Sequence, residues 1–142
     1  HKVPLVPTLT FQAVLADHGH RIGASPFLQD LFRREIDESS VQLRRAYDAG
    51  VPLLCGTETG FSITPYGEWH WRELQVFVEA LGLTPEQALI CATREGARAM
   101  GLEGEIGTLE VGRLADIIVV KGDVTRDVTL LGREGGIAHV FK

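Results

Sequence analysis

AGVPLLCGTETG, residues 49–60, is the stretch on which the fold turns. Residues 51–56, VPLLCG, form a short continuous apolar run, which suits a strand buried on both faces of a parallel sheet. Ahead of it Leu43, Ala46 and Tyr47 recur at helical spacing, and Gly50 falls where a helix places its C′ glycine. Helix, glycine stop and buried strand make the αβ half of a βαβ unit. Beyond the strand, Thr57-Glu58-Thr59-Gly60 opens a loop that runs to Gly67.

Working upstream, residues 3–11, VPLVPTLTF, read as a second buried strand, with Pro4 and Pro7 pushing it toward an edge or strand end. Residues 17–25 read as a polar loop. Ser25 then fits an N-cap with Pro26 at the first helical position, and Phe27, Leu28, Leu31 and Phe32 share one helix face. A fresh helix is expected to start at Ser39 or Ser40. Downstream, Glu68 to Leu81 reads as a helix with Trp71, Leu74, Phe77 and Val78 on one side, stopped by Gly82. Thr84-Pro85-Glu86-Gln87 is a capping-box signature, opening a helix expected to reach Met100 and stop at Gly101. The texture changes near residue 103. Glycines 104, 107, 112 and 122 break up short β-branched runs, Ile117 to Val120 reads as a strand, and residues 137–142 as another. Residues 1–103 are therefore expected to be α/β and residues 104–142 all-β.

The chain has 142 residues, enough for one domain or part of a larger one. With 44% apolar and 23% charged residues it has the composition of a globular protein, which excludes a disordered chain. A net charge of −5 leaves no basic footprint for nucleic acid. No apolar run reaches the roughly 18 residues a membrane helix needs. Two cysteines, Cys55 and Cys91, sit inside apolar stretches and fit buried thiols in a reducing, cytoplasmic compartment. The chain starts at His1, not Met, so a piece of a longer protein is expected.

Glu58 is the leading candidate for chemistry. It lies two residues past the apolar strand, where catalytic side chains collect in parallel α/β sheets and barrels. A carboxylate there can bind a metal or take a proton from water, though position alone favours a loop carboxylate that caps the next helix or pairs with an arginine. His18 and His20 have an HxH spacing, but they flank Gly19 in a polar stretch and read as solvent-exposed loop histidines. His70, between Trp69 and Trp71, reads as a packed or capping histidine, and His139 as a structural one; His1 opens the chain. Phe61, Tyr66, Trp69 and Trp71 crowd the sequence around Glu58, as either the apolar wall of a ligand site or core. No P-loop, GxSxG or dinucleotide fingerprint is present.

Three segments in order, AGVPLLCGTETG at 49–60, LGLTPEQALICATREGARAMGL at 81–102 and GEIGTLEVGRLADIIVVKGDV at 104–124, resemble the C-terminal third of metal-dependent amidohydrolases. The resemblance is to the imidazolonepropionase-like and prolidase-like branch. The TETGF–TPYGEW stretch is also similar to phenylurea and thiocarbamate hydrolases. It implies the last β/α units of a (β/α)8 TIM barrel, with residues 3–11 as about the seventh strand and 51–56 as the eighth. Residues 104–142 would be strands of a small composite β-sandwich.

The resemblance further implies one or two divalent metals, zinc by expectation, held mostly by residues absent from this chain. Where the family usually has Gly-Thr-Asp, this sequence has Gly56-Thr57-Glu58, so Glu58 is the one family catalytic and metal-ligand position carried over. The implied activity is hydrolysis of an amide-like C–N bond in a small-molecule substrate, an amide, carbamate, urea or dipeptide. As a full-length enzyme it would be a homo-oligomer, with no nucleic-acid or membrane partner. The alternative is a non-catalytic α/β fragment or interaction module without a complete metal site.

Overall fold

The structure is a computed structural model that describes residues 3–61 and 63–142. Among the described residues five α-helices and two strands follow one another: α1 Thr10–His18, α2 Pro26–Asp48, α3 His70–Glu79, α4 Pro85–Ala92, α5 Arg94–Ala99, β1 Ile117–Val120 and β2 Ile137–Phe141. The molecule is a mixed α/β arrangement in which the helices precede the strand pair.

The two expected N-terminal strands are reduced to one parallel bridge, Leu5 with Leu53. Leu5 N–H donates to the Pro52 carbonyl at 2.9 Å, and Leu54 N–H to the Leu5 carbonyl at 2.8 Å. Pro4, Pro7 and Pro52 bring no N–H to such a ladder, which limits its extension. The parallel neighbours are as expected, but the extent is not. Val3, Leu5 and Val6 are exposed, and the chain leaves the extended path at Thr8, whose φ is 55°. Residues 10 and 11 are helical rather than strand. Leu53 is fully buried, while Leu54 and Cys55 are half-buried.

The helix signals fare unevenly. Ser25 Oγ accepts from Leu28 N–H, with Pro26 at the first helical position. No new helix starts at Ser39 or Ser40, because α2 runs through both. Their hydroxyls donate back to the Ile36 carbonyl, the alternative that serine has to capping. The face carrying Phe27, Leu28 and Leu31 is largely exposed. Gly50 ends the helix in the left-handed region at φ 78°, with Gly50 N–H donating to Tyr47 O and Val51 N–H to Ala46 O, the pairing of a Schellman motif. The polar loop expected at 17–25 instead carries a 3-10 turn, Gly19–Ile22.

Thr84 forms its full capping box with Gln87. The following helix breaks at Thr93 (φ −119°, ψ −83°), giving α4 and α5 where one helix was expected. Gly107, at φ 89°, lies against that break. A Cβ there would come 2.7 Å from Ala97 Cβ and 3.1 Å from the Thr93 carbonyl.

One core gathers Leu9, Ala13, Leu53, Leu74, Val76, Phe77, Leu81, Leu83, Ala88, Cys91 and Val128. A smaller cluster joins Val14, Leu15 and Ile63, with Phe11, Phe32 and Trp69 against it. After residue 103, β1 and β2 pair antiparallel with a register shift between Val119 and Val120. A 3-10 turn, Val128–Gly132, packs on α3.

Candidate functional site

The bridge between Leu5 and Leu53 brings two chain ends side by side. On one, the path passes Val6 and Thr8; on the other, Gly56, Thr57 and Glu58. Gly56 is where they meet: a Cβ there would collide with Val6 Cγ1 and lie 3.5 Å from Thr8 Cγ2. Glycine leaves room for this approach, so Gly56 lies beside the Val6 side chain and near Thr8.

Three non-glycine residues among those described have positive φ: Thr8 at 55°, Glu58 at 47° and Trp69 at 56°. Side chains rarely adopt this region, and such strain gathers where function over-determines the backbone. All three surround one place. Thr8 adjoins Gly56, Glu58 follows two residues later, and Trp69 immediately precedes His70, whose Nδ1 lies 3.3 Å from Thr57 Oγ1. The loop between them is pinned by an antiparallel bridge from Phe61 to Thr64, and Tyr66 lies over Gly60.

Glu58 is exposed and makes no hydrogen bond or ion pair among the described residues. It neither caps α3 nor meets an arginine. His70 is the first residue of α3, exposed, and its contact with Thr57 places an imidazole one residue from the carboxylate.

The aromatics split. Trp69 and Trp71 stack at 6.0 Å, His18 lies 5.4 Å from the Trp69 ring, and Phe11 meets Phe61 at 4.9 Å. Trp71 seats on Gly132, where a Cβ would collide with the indole, so it is packing rather than a free wall. Tyr66 is exposed. His18 ends α1 and His20 lies in the 3-10 turn; they occupy different elements. His139 lies on β2 beside Phe141, and His1 lies outside the described residues.

A divalent metal of the expected kind takes three or more protein donors. Among the described residues no three His, Cys, Asp or Glu side chains come together, so they do not by themselves make a metal site. Neither thiol is activated: burial pushes Cys55 up strongly and Cys91 up to about 11. No helix among the described residues is long and apolar enough to cross a membrane.

One residue that the sequence reading passed over belongs to this region. Glu73 on α3 is fully buried, and its carboxylate accepts from Leu9 N–H at 3.1 Å, Thr10 N–H at 2.7 Å and Thr10 Oγ1 at 2.6 Å. The available signal was a carboxylate one turn before Phe77 on the apolar stripe of its helix.

The sequence profile of the amidohydrolase family matches residues 6–142. Imidazolonepropionase of Thermoplasma volcanium is 31% identical over 121 residues, covering 85% of this chain and 29% of that protein. Imidazolonepropionase of Symbiobacterium thermophilum is 52% identical over 62 residues, 44% of this chain and 15% of that protein. Among solved structures, a Bifidobacterium longum protein assigned as a prolidase superposes with a TM-score of 0.75 at 30% identity, over 91% of this chain and 32% of that one. The chain thus spans less than a third of the length of each of these relatives.

Proposed function

The chain belongs to the amidohydrolase family, and from that premise we propose that it is the C-terminal part of a hydrolase that cleaves an amide-like C–N bond. In this reading, residues 1–103 are the closing β/α units of a (β/α)8 barrel, and residues 104–142 belong to a β-sandwich. The extended segments meeting at Leu5 and Leu53 are the seventh and eighth barrel strands. Their parallel pairing and the helices between them support that placement. The single observation that carries the proposal is Glu58: a carboxylate held in left-handed backbone just beyond the end of the paired segment, at the family's Gly-Thr-Asp position.

Glu58 takes a proton from the water that attacks the carbonyl carbon. The new C–O bond forms as the carbonyl π pair moves onto oxygen; when that pair returns the C–N bond breaks, and the same proton is delivered to the departing nitrogen. Glu58, exposed and without a hydrogen bond or ion pair among the described residues, is free to turn between the two positions. The divalent metal expected for the family, zinc, would be held by residues outside this chain, with Glu58 as the one carboxylate offered from this segment. The substrate is a small molecule of the amide, carbamate, urea or dipeptide class.

The test is amine release by the full-length protein from one representative of each class. Release from at least one is expected; no release from any of the four would overturn the reading.

A further inference from the structure

We propose that Glu73 is a positioning residue for this site: from α3 it fixes the Thr8–Thr10 turn, and through Gly56 the segment that carries Glu58. This inference rests on the reading of Glu58 above.

Helix α1 lacks a cap of its own. Its N-cap is Leu9, with no side-chain acceptor for the free N–H groups of the first turn. Glu73, 64 residues away, supplies that acceptor, with Oε1 taking Leu9 N–H and Oε2 taking both donors of Thr10. Thr10 is as fully buried as Glu73. Arg72, the adjacent cation on α3, is engaged with Asp17 and Glu79 instead. The carboxylate is therefore held by oriented N–H and O–H groups and the positive end of a helix, not by a salt bridge.

A buried carboxylate carries a desolvation cost, which the buried Leu9 N–H and Thr10 donors offset because they have this acceptor. Beyond that balance it supplies direction. Three short bonds fix where the chain turns after Pro7, and that turn contains the strained Thr8. Val6 fills the space that a Gly56 side chain would need, Thr8 lies near it, and Glu58 lies two residues on. If the Glu73 bonds are lost, the Thr8 turn can relax toward ordinary φ. The Val6–Thr8 segment that lies beside Gly56 then moves.

The experiment uses the full-length enzyme with Glu73→Gln, which keeps the shape but sets an amide N–H against at least one of the three donors. Hydrogen exchange by mass spectrometry and steady-state kinetics are read together. Exchange over residues 6–10 and 56–58 should rise about tenfold with α4 and α5 unchanged. Misplacing a proton-transferring group by a fraction of an ångström should lower kcat about tenfold while KM stays within about threefold. Thr10→Val, which removes one donor and keeps volume, should move both readouts the same way by less, and it serves if Glu73→Gln does not fold. Exchange at 56–58 within about twofold of the parent in the folded variant overturns the inference. So does faster exchange with kcat unchanged, since the carboxylate would then hold the fold and not the site. The exchange readout needs no turnover, so this failure is separable from a failure of the Glu58 reading, which shows in Glu58→Gln alone.

Discussion

Residues 9–97 and residues 104–142 meet water differently. In the first region Leu53, Val14, Phe77 and Ala88 have no exposed surface, and helices α1, α3 and α4 close around them. In the second, Leu109 is 80% exposed and Val140 70%, and Ile118, Val119, Ile137 and Phe141 are exposed on the two strands. Val128 is the one buried hydrophobic residue described there, and it belongs to the core that α3 and α4 build. Two antiparallel strands alone are marginal in water, and this pair is apolar on its open surface. Within these 142 residues the helical region carries its own core, whereas the strand pair presents the apolar face that the proposed sandwich would cover.

The sharpest way to break this contrast is a pair of truncations. In the 142-residue chain by itself, Phe77→Ala should cost about 3–5 kcal/mol, and Val140→Ala no more than about 0.5 kcal/mol, read by urea denaturation. A cost above about 2 kcal/mol at Val140 would show that the strand pair has a core of its own.

Glu73 sharpens it next, because its titration belongs to the helical region alone. Burial raises its carboxyl above the ordinary range, against the pull of the Thr10 and Leu9 hydrogen bonds. A folded value above the unfolded one, about 4.3, means the native state holds its proton more readily. That contribution to stability is fully present below the unfolded value and is lost as pH rises through the folded one. Denaturation at stepped pH should therefore show stability falling in that window for the parent and a flatter profile for Glu73→Gln. Parallel profiles would contradict the burial of this group.

The smallest expected effect is at a cap. Thr84→Ala removes half of the capping box of α4 and should cost about 1 kcal/mol. Leu109→Ser, on the exposed side of the comparison, should change stability by less than about 0.5 kcal/mol.

Which features were legible in the sequence follows from how far apart the interacting groups are. Ser25 with Pro26, Gly50, Thr84 with Gln87 and Gly101 act on partners within five residues, and each sits where the sequence places it. Ser39 and Ser40 misled because one hydroxyl can cap a helix or bond back into it, and only burial against the rest of the fold decides which. The helix start at Thr10 was hidden because its acceptor arrives from Glu73, far along the chain. Glu58 was picked out by its motif, but its left-handed backbone and the contact of Thr57 with His70 depend on packing that no local pattern encodes.

Turnover of the full-length enzyme carrying Glu58→Gln decides whether Glu58 moves the proton, because the change keeps shape and removes the base. Turnover should fall about 10²-fold or more, with the circular dichroism of the parent. Turnover within about threefold of the parent would contradict it and return Glu58 to the role of an ordinary loop carboxylate.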